Sequence, residues 1–114
     1  MNRIKILHVI TTLERGGAQR VLFDLIKHNN NKRIENIIIC LSKKTSYSEI
    51  FREIGTEIIF LNGKRIAETP IIFFRLIKLI KKIKPDLIHS WLYHSDFLVT
   101  LAKIFLISSV PVLW

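Results

Sequence analysis

Cysteine is nearly absent from this sequence of 114 residues. Cys40 is the one cysteine, so the chain cannot form an internal disulfide. Its position within an apolar stretch favours a buried thiol over a reactive nucleophile. A lone buried thiol is typical of a protein in a reducing compartment, and we expect a cytoplasmic location.

Acidic residues are also scarce. Nine Asp and Glu stand against eighteen Lys and Arg, which gives a net charge of +9 and a sequence pI near 10.1. This balance favours an anionic partner, such as nucleic acid, a membrane surface or a phosphorylated ligand. Charge alone does not choose among the three.

We expect neither a leader nor a long hydrophobic span in this sequence. The apolar run over residues 4–10 is too short for a signal peptide, and no small-residue cleavage site precedes the charged pair Glu14 and Arg15. Residues 97–114 are apolar but divide into a short helix and a separate strand. The interrupting residues are Lys103, Ser108, Ser109 and Pro111.

The hydrophobic fraction of 49% excludes general disorder. Residues 1–114 are enough for a single domain with one core.

The stretch around which the chain is organised lies near its beginning. Residues 4–10 are apolar and rich in β-branched side chains, which predicts a buried strand. From Ala18 onward the apolar residues fall at helical spacing, which predicts a helix with one buried face. That predicted face consists of Ala18, Val21, Leu22, Leu25 and Ile26.

Gly16 and Gly17 join this strand to this helix. Glycines allow backbone conformations that other residues avoid and leave room for a ligand beside the main chain. The first amides of the following helix could then receive a phosphate. A pair of this kind equally suits a connection that is merely tight. It is not the dinucleotide fingerprint, because Lys43 and Lys44 follow the second strand where that motif needs an acidic residue.

The rest of the chain continues the alternation of strands and helices. Strands are predicted at 36–41, 57–61, 86–90 and 112–114, and helices at 48–54, 70–84 and 97–106. Such alternation predicts an α/β fold, a Rossmann-like parallel sheet of order 3-2-1-4-5 with helices on both faces. Strands one and four are then neighbours, and ligands bind where the winding reverses. We therefore expect the loops 11–17 and 90–96 to face one crevice.

The helix predicted at 70–84 has one broad apolar side and one basic side. Two compatible interpretations remain: a helix covering the sheet with solvated lysines, and a basic rim that contacts anionic lipid headgroups. Nucleic-acid binding is disfavoured, because these cations lie on one helix without interleaved exposed aromatics. The basic residues are Arg75, Lys78, Lys81 and Lys82.

The loop after the fourth strand carries Trp91, Tyr93 and His94. An aromatic face can pack on a sugar ring while an imidazole hydrogen-bonds a hydroxyl, but His94 could instead help to cap the next helix. His8 and His89 lie in strands and are expected to be core histidines.

No predicted pair of side chains indicates catalysis. Glu14 and Asp96 could pair across the crevice, although loop charge and helix capping explain them equally well. The histidines have no zinc-like spacing, so we predict no metal cofactor.

Four segments together resemble a known family. Residues 5–10, 16–22, 84–94 and 110–114 are similar, in this order and spacing, to the amino-terminal domain of retaining glycosyltransferases of GT-B fold. These family-4-like enzymes include bacterial lipopolysaccharide and capsule glycosyltransferases. The likeness covers nearly the whole chain.

The resemblance implies a cleft between two Rossmann-like domains, in which a sugar passes from a nucleotide-sugar donor to a glycan or lipid-linked acceptor of cell-envelope polysaccharide. Gly16 and Gly17 would lie near the donor diphosphate and the acceptor, and Trp91 and His94 would contact the acceptor. Nothing in these 114 residues resembles the donor-binding carboxyl-terminal domain of such enzymes. The chain is therefore expected to be a truncated acceptor-side domain that is inactive alone.

Overall fold

The computed structural model describes residues 4–29, 33–62, 69–91, 98–101, 103 and 111–113. The strands are β1 (Ile4–Ile10), β2 (Ile34–Cys40), β3 (Glu57–Phe60), β4 (Leu87–Trp91) and β5 (Val112–Leu113). The helices are α1 (Gly17–Asn29), α2 (Glu49–Glu53) and α3 (Thr69–Ile83). Residues 98–101 and 103 are also helical, within the helix predicted at 97–106.

The strands form one parallel sheet of order β3-β2-β1-β4-β5. The predicted fold class and strand order are therefore confirmed. β1 lies in the centre, where Ile10 pairs with Cys40 of β2 on one side and with Trp91 of β4 on the other. The winding reverses between β1 and β4, as the order requires.

Two apolar cores cover the two faces of the sheet. Alternate residues of β2 serve opposite cores, because successive side chains of a strand point to opposite faces. Ile37 and Ile39 pack on the α3 side with Leu76 and Ile80. On the other face, Ile38 and Cys40 pack under α1 and α2. The uninterrupted apolar run of β2 is thus explained by burial on both sides.

The predicted buried face of α1 is partly wrong. Val21 is 57% exposed and Leu25 is 38% exposed, whereas Gln19 is buried together with Leu22 and Ile26. The Gln19 amide donates a hydrogen bond to the Thr12 carbonyl at 3.0 Å. The stripe of Gln19, Leu22 and Ile26 thus faces the sheet, and Val21 and Leu25 lie at its solvent flank.

The end of α3 follows from its sequence. The Lys84 amide donates to the Ile80 carbonyl at 3.0 Å, and Lys84 has a left-handed φ of 54°. This left-handed residue and the following Pro85 stop the helix after Ile83. Among the described residues, no helix is long and apolar enough to span a bilayer.

Candidate functional site

Three strands end at the same edge of the sheet. The pairing of Ile10 with both Cys40 and Trp91 aligns the carboxyl ends of β1, β2 and β4. The sequence predicts a crevice between the loops after β1 and β4, and residues 92–96 of the second loop lie outside the described residues. The β2–α2 loop was not part of that prediction, yet it lies against the β1–α1 loop.

The β1–α1 loop is held by side chains at three successive carbonyl oxygens. The Ser42 hydroxyl donates to the Thr11 carbonyl at 2.6 Å. The Gln19 amide donates to the Thr12 carbonyl at 3.0 Å, and the Thr45 hydroxyl donates to the Leu13 carbonyl at 2.8 Å. Ser42 and Thr45 come from the β2–α2 loop, so the two loops form one bonded unit. Its shape exists before any ligand arrives, which lowers the entropic cost of binding.

The two glycines of this loop play different roles. A Cβ on Gly16 would come within 2.6 Å of Gln19 Oε1, so Gly16 makes room for the buried Gln19 amide. A Cβ on Gly17 would meet nothing within 4 Å. Neither glycine uses the backbone freedom that glycine allows, because the only described glycine with positive φ is Gly55. Open space lies beside Gly17, and its contact with a ligand stays a prediction.

His8 lies fully buried beneath this edge, as expected of a core histidine. The Trp91 indole N–H donates to His8 Nδ1 at 3.3 Å, so His8 must carry its proton on Nε2 and donate it to Asn36 Oδ1 at 3.0 Å. Asn36 Nδ2 in turn donates to Asn29 Oδ1 at 2.8 Å. The pKa of His8 is lowered to about 4, mainly by burial. The hydrogen bond to Asn36 raises this pKa, and the charge of the nearby His89 lowers it further. His8 is therefore neutral at neutral pH and links β4, β1, β2 and the end of α1.

Trp91 stands at the end of β4, half-buried between the site and the interior. Its ring centre lies 4.2 Å from that of His89 and its indole N–H is engaged by His8. Trp91 can thus offer a ring surface to a ligand but not its N–H group. His89 is half-buried in this stack rather than fully enclosed. His94, the other predicted acceptor contact, lies outside the described residues, as do Tyr93 and Asp96.

A basic cleft opens between the β1–α1 loop and the β2–α2 loop. Its volume is about 610 Å³, and a hollow of about 390 Å³ shares Arg15, Arg20 and Tyr47 with it. The Arg15 guanidinium lies 5.9 Å from the centre of the Tyr47 ring. Sequence reasoning missed this site, although the run of charge around Gly16 was a usable signal. The cleft is lined by Glu14, Arg15, Arg20, Thr45, Ser46, Tyr47 and Ile50.

A second basic region, the α3 surface, covers the solvent side of α3. It includes the four predicted cations and two apolar residues that the prediction did not single out, Ile71 at 62% and Phe74 at 66% exposure. Arg75 donates from Nη1 to the Leu61 carbonyl at 3.0 Å, so it is partly engaged by the protein. The α3 surface is defined by Ile71, Phe74, Arg75, Lys78, Lys81 and Lys82.

The lone cysteine is not part of a site. Cys40 is buried, as predicted, and burial raises the pKa of its thiol to about 11. A thiol with this pKa is a poor nucleophile at neutral pH. Within the described part of the chain, no three His, Cys, Asp or Glu side chains are arranged to hold a metal ion.

Comparison with known proteins assigns the family. Residues 15–114 match the sequence profile of glycosyltransferase family 4. The chain belongs to this family. The match begins at Arg15 and so includes the glycine pair, all of the basic cleft lining except Glu14, and the whole α3 surface.

One curated relative of this family-4 chain is a capsular polysaccharide biosynthesis glycosyltransferase, CapH, from Staphylococcus aureus. The two are 26% identical over 98 residues, which is 86% of this chain and 26% of CapH. The chain therefore spans about a quarter of the length of that relative.

Solved structures share the fold of the family-4 chain. The Anabaena protein HepE, solved in complex with UDP-glucose, superposes with a TM-score of 0.74 at 14% identity, over 96% of this chain and 28% of HepE. A UDP-GlcNAc 2-epimerase from Neisseria meningitidis, solved with UDP-GlcNAc, gives 0.68 at 16% identity, over 96% of this chain and 31% of the epimerase. At these identities the likeness concerns the fold alone, a Rossmann-like half of a GT-B architecture.

Proposed function

We propose that this chain forms the acceptor side of a retaining, nucleotide-sugar-dependent glycosyltransferase that acts in cell-envelope polysaccharide synthesis. The observation that carries the proposal is the family-4 match over residues 15–114, which includes the loop at the reversal of strand order. The fold does not choose by itself between transfer and epimerisation, since an epimerase shares it. Family membership and the capsular relative favour transfer.

The bonded loop pair would supply a rigid wall of the transfer cleft. Three carbonyls of the β1–α1 loop are engaged by side chains, whereas Gly17 borders open space. A donor diphosphate could approach the main chain at Gly17 and the first amides of α1 without displacing a side chain. Trp91 and His94 would contact the acceptor from the β4 side. Both roles are proposals for these residues.

The donor itself would be held mainly by another domain. HepE and the epimerase were solved with UDP-glucose and UDP-GlcNAc, and this chain covers less than a third of either. A UDP-sugar is therefore the proposed donor, with no metal cofactor. Negative charge that develops on the departing nucleotide diphosphate must be stabilised by positioned hydrogen-bond donors and cations. We expect the chain alone to lack enough of these groups, and hence to be inactive by itself.

A transfer assay tests the proposal. Labelled UDP-glucose and UDP-GlcNAc are offered with a membrane-extracted acceptor to the chain alone and to the chain joined to the donor-binding half of a family-4 enzyme. We expect transfer only by the joined protein and loss of transfer in its Gly17→Val variant. Acceptor binding by the chain alone, followed by saturation-transfer NMR, keeps the test valid if the joined protein misfolds. Transfer by the chain alone, or failure of the chain to bind any acceptor, contradicts the proposal.

A second function, contact with an anionic membrane, is favoured by the α3 surface. Ile71 and Phe74 are exposed beside Lys78, Lys81 and Lys82, and these lysines form no ion pair with any described residue. Apolar side chains that can enter the interface, next to cations that can meet headgroups, are typical of peripheral membrane helices. A lipid-linked acceptor would make the two functions compatible, and a noncatalytic membrane module is the alternative. The location would be the cytoplasmic side of the membrane.

A further inference from the structure

The basic cleft contains two guanidinium groups that the protein uses only in part. Arg15 faces the Tyr47 ring and forms no ion pair with a described residue. Arg20 pairs with Asp24 through Nε at 3.5 Å, between largely exposed side chains. Exposed pairs of this kind contribute little. The Nη groups of both arginines therefore remain available to a ligand at low cost.

The chemistry of the cleft walls selects the ligand. Guanidinium groups match the geometry of phosphate oxygens, which accept two parallel hydrogen bonds. Tyr47 and Ile50 line the opposite wall, where a sugar ring can pack on an aromatic face. The Thr45 hydroxyl is committed to the Leu13 carbonyl and fixes this wall in place. Glu14 also borders the cleft and opposes an anion, but the two arginines leave the lining with net positive charge.

We propose that the basic cleft binds the phosphate of a phosphorylated glycan acceptor. Arg15 and Arg20 bind the phosphate oxygens, and Tyr47 packs on the sugar that carries them. This inference rests on the proposed function, because it assumes that the chain binds the acceptor of a glycosyltransferase. It adds to that function the chemical class of the acceptor and a binding site that includes neither Gly17 nor Trp91.

Binding to the chain without any donor tests the site directly. Glucose 1-phosphate is titrated against the chain and followed by the amide NMR signals of residues 14–20 and 45–50, with methyl glucoside and inorganic phosphate in parallel. We expect glucose 1-phosphate to bind more tightly than inorganic phosphate, and methyl glucoside to leave these signals unchanged. Equal response to methyl glucoside would overturn the phosphate assignment.

Charge variants sharpen the same titration. Arg15→Gln and Arg20→Gln should each weaken binding of glucose 1-phosphate about tenfold or more, since each removes a charge-assisted hydrogen bond. Glu14→Gln should strengthen binding, because it removes the repulsive carboxylate. Lys27→Gln, an exposed change near the other end of α1, is the matched control and should leave the affinity unchanged. Equal affinities in the Arg15, Arg20 and Lys27 variants would overturn the proposal.

A titration with UDP-glucose separates the acceptor from the donor as the source of the phosphate. If the cleft belongs to the acceptor, UDP-glucose binds the chain no more tightly than glucose 1-phosphate does. Tighter binding of UDP-glucose that is lost in Arg15→Gln would assign the cleft to the donor and overturn the acceptor assignment. Failure of sugar transfer with phosphate binding intact would instead count against the proposed function. The two ideas can therefore fail separately.

Discussion

The basic cleft and the α3 surface are both cationic, but they differ in shape and in their apolar partners. The cleft is concave: Arg15 stands on the β1–α1 loop and Arg20 in the first turn of α1, beside two loops that are bonded to each other at Thr45 and Leu13. The α3 surface lies on one exposed helix, and its lysines flank the exposed Ile71 and Phe74. Positive charge in a rigid cleft suits one phosphate group, whereas charge beside exposed apolar side chains suits a lipid surface. Net charge alone could not distinguish these uses.

The interiors beneath the two regions differ as well. Under α3 the core consists of aliphatic side chains such as Leu7, Val9 and Leu76. The opposite face of the sheet includes His8, which is bonded to Trp91 and Asn36. We therefore expect acid to weaken the α1 side of the sheet while the α3 side keeps its packing. The predictions below start from the largest expected effect.

Reversing charge on the α3 surface should have the largest effect. The triple change of Lys78, Lys81 and Lys82 to Glu removes three cations, each contributing about 1 kcal/mol near an anionic membrane, and adds three repulsive charges. Binding to vesicles rich in phosphatidylglycerol should fall by at least about a hundredfold in a co-sedimentation assay. Arg15→Gln is the matched control in the cleft and should keep vesicle binding. Equal binding by the triple variant and the unaltered chain would remove the α3 surface from membrane contact.

Acid should destabilise the fold through His8. Its pKa is about 4 in the folded chain, against 6.5 for an ordinary histidine. Between these values the unfolded state binds a proton that the folded state excludes, so the free energy of unfolding rises with pH. The contribution is fully present above about pH 6.5 and is lost as pH falls toward 4, with a total on the order of 3 kcal/mol.

Denaturant unfolding at several pH values between 4 and 7 measures this dependence. In His8→Gln, whose amide can still donate and accept, the slope over this range should become smaller. His28→Gln is the matched control, since His28 is exposed near the end of α1. An unchanged slope in His8→Gln would show that His8 does not stay neutral in the folded chain.

The exposed apolar pair of α3 should contribute to membrane binding but not to the stability of the fold. Ile71→Ser combined with Phe74→Ser should weaken vesicle binding about tenfold or more, because burying each side chain in the interface contributes about 1.5 to 3 kcal/mol at most. Thermal unfolding should shift little, since both residues are exposed. Val21→Ser, on the other side of the sheet, is the control. If it weakens vesicle binding as much, the membrane contact is not specific to the α3 surface.

The smallest predicted effect separates the two glycines. Gly16→Ala should lower the free energy of unfolding by about 1 kcal/mol, because the new methyl group displaces the Gln19 amide from the Thr12 carbonyl. Gly17→Ala should leave stability unchanged or raise it slightly, since its methyl group meets open space in a helix. Chemical denaturation of both variants measures the difference. Equal losses would mean that Gln19 does not set the requirement for glycine at position 16.

Much of the fold could be predicted because its signals are local. The apolar run of β1, the helical spacing of α3 and the stop at Pro85 each act over a few residues. Strand order followed from general rules of parallel sheets rather than from any one residue. The site was harder. Gly17 was predicted from its motif and stays a prediction, whereas Arg15 and Tyr47 come from loops that carry no mutual signal along the chain.

The sequence by itself determined the family, the alternation of elements and the clustering of lysines on α3, because these depend on residue type and near spacing. Only the tertiary structure decided which face α1 buries, which loop joins the glycine loop and which His8 nitrogen carries the proton. The last two depend on hydrogen bonds between distant residues: His8 with Asn36, 28 positions apart, and Leu13 with Thr45, 32 positions apart. Periodicity says nothing about such pairs. They form because buried polar groups must find partners once the sheet has brought them together.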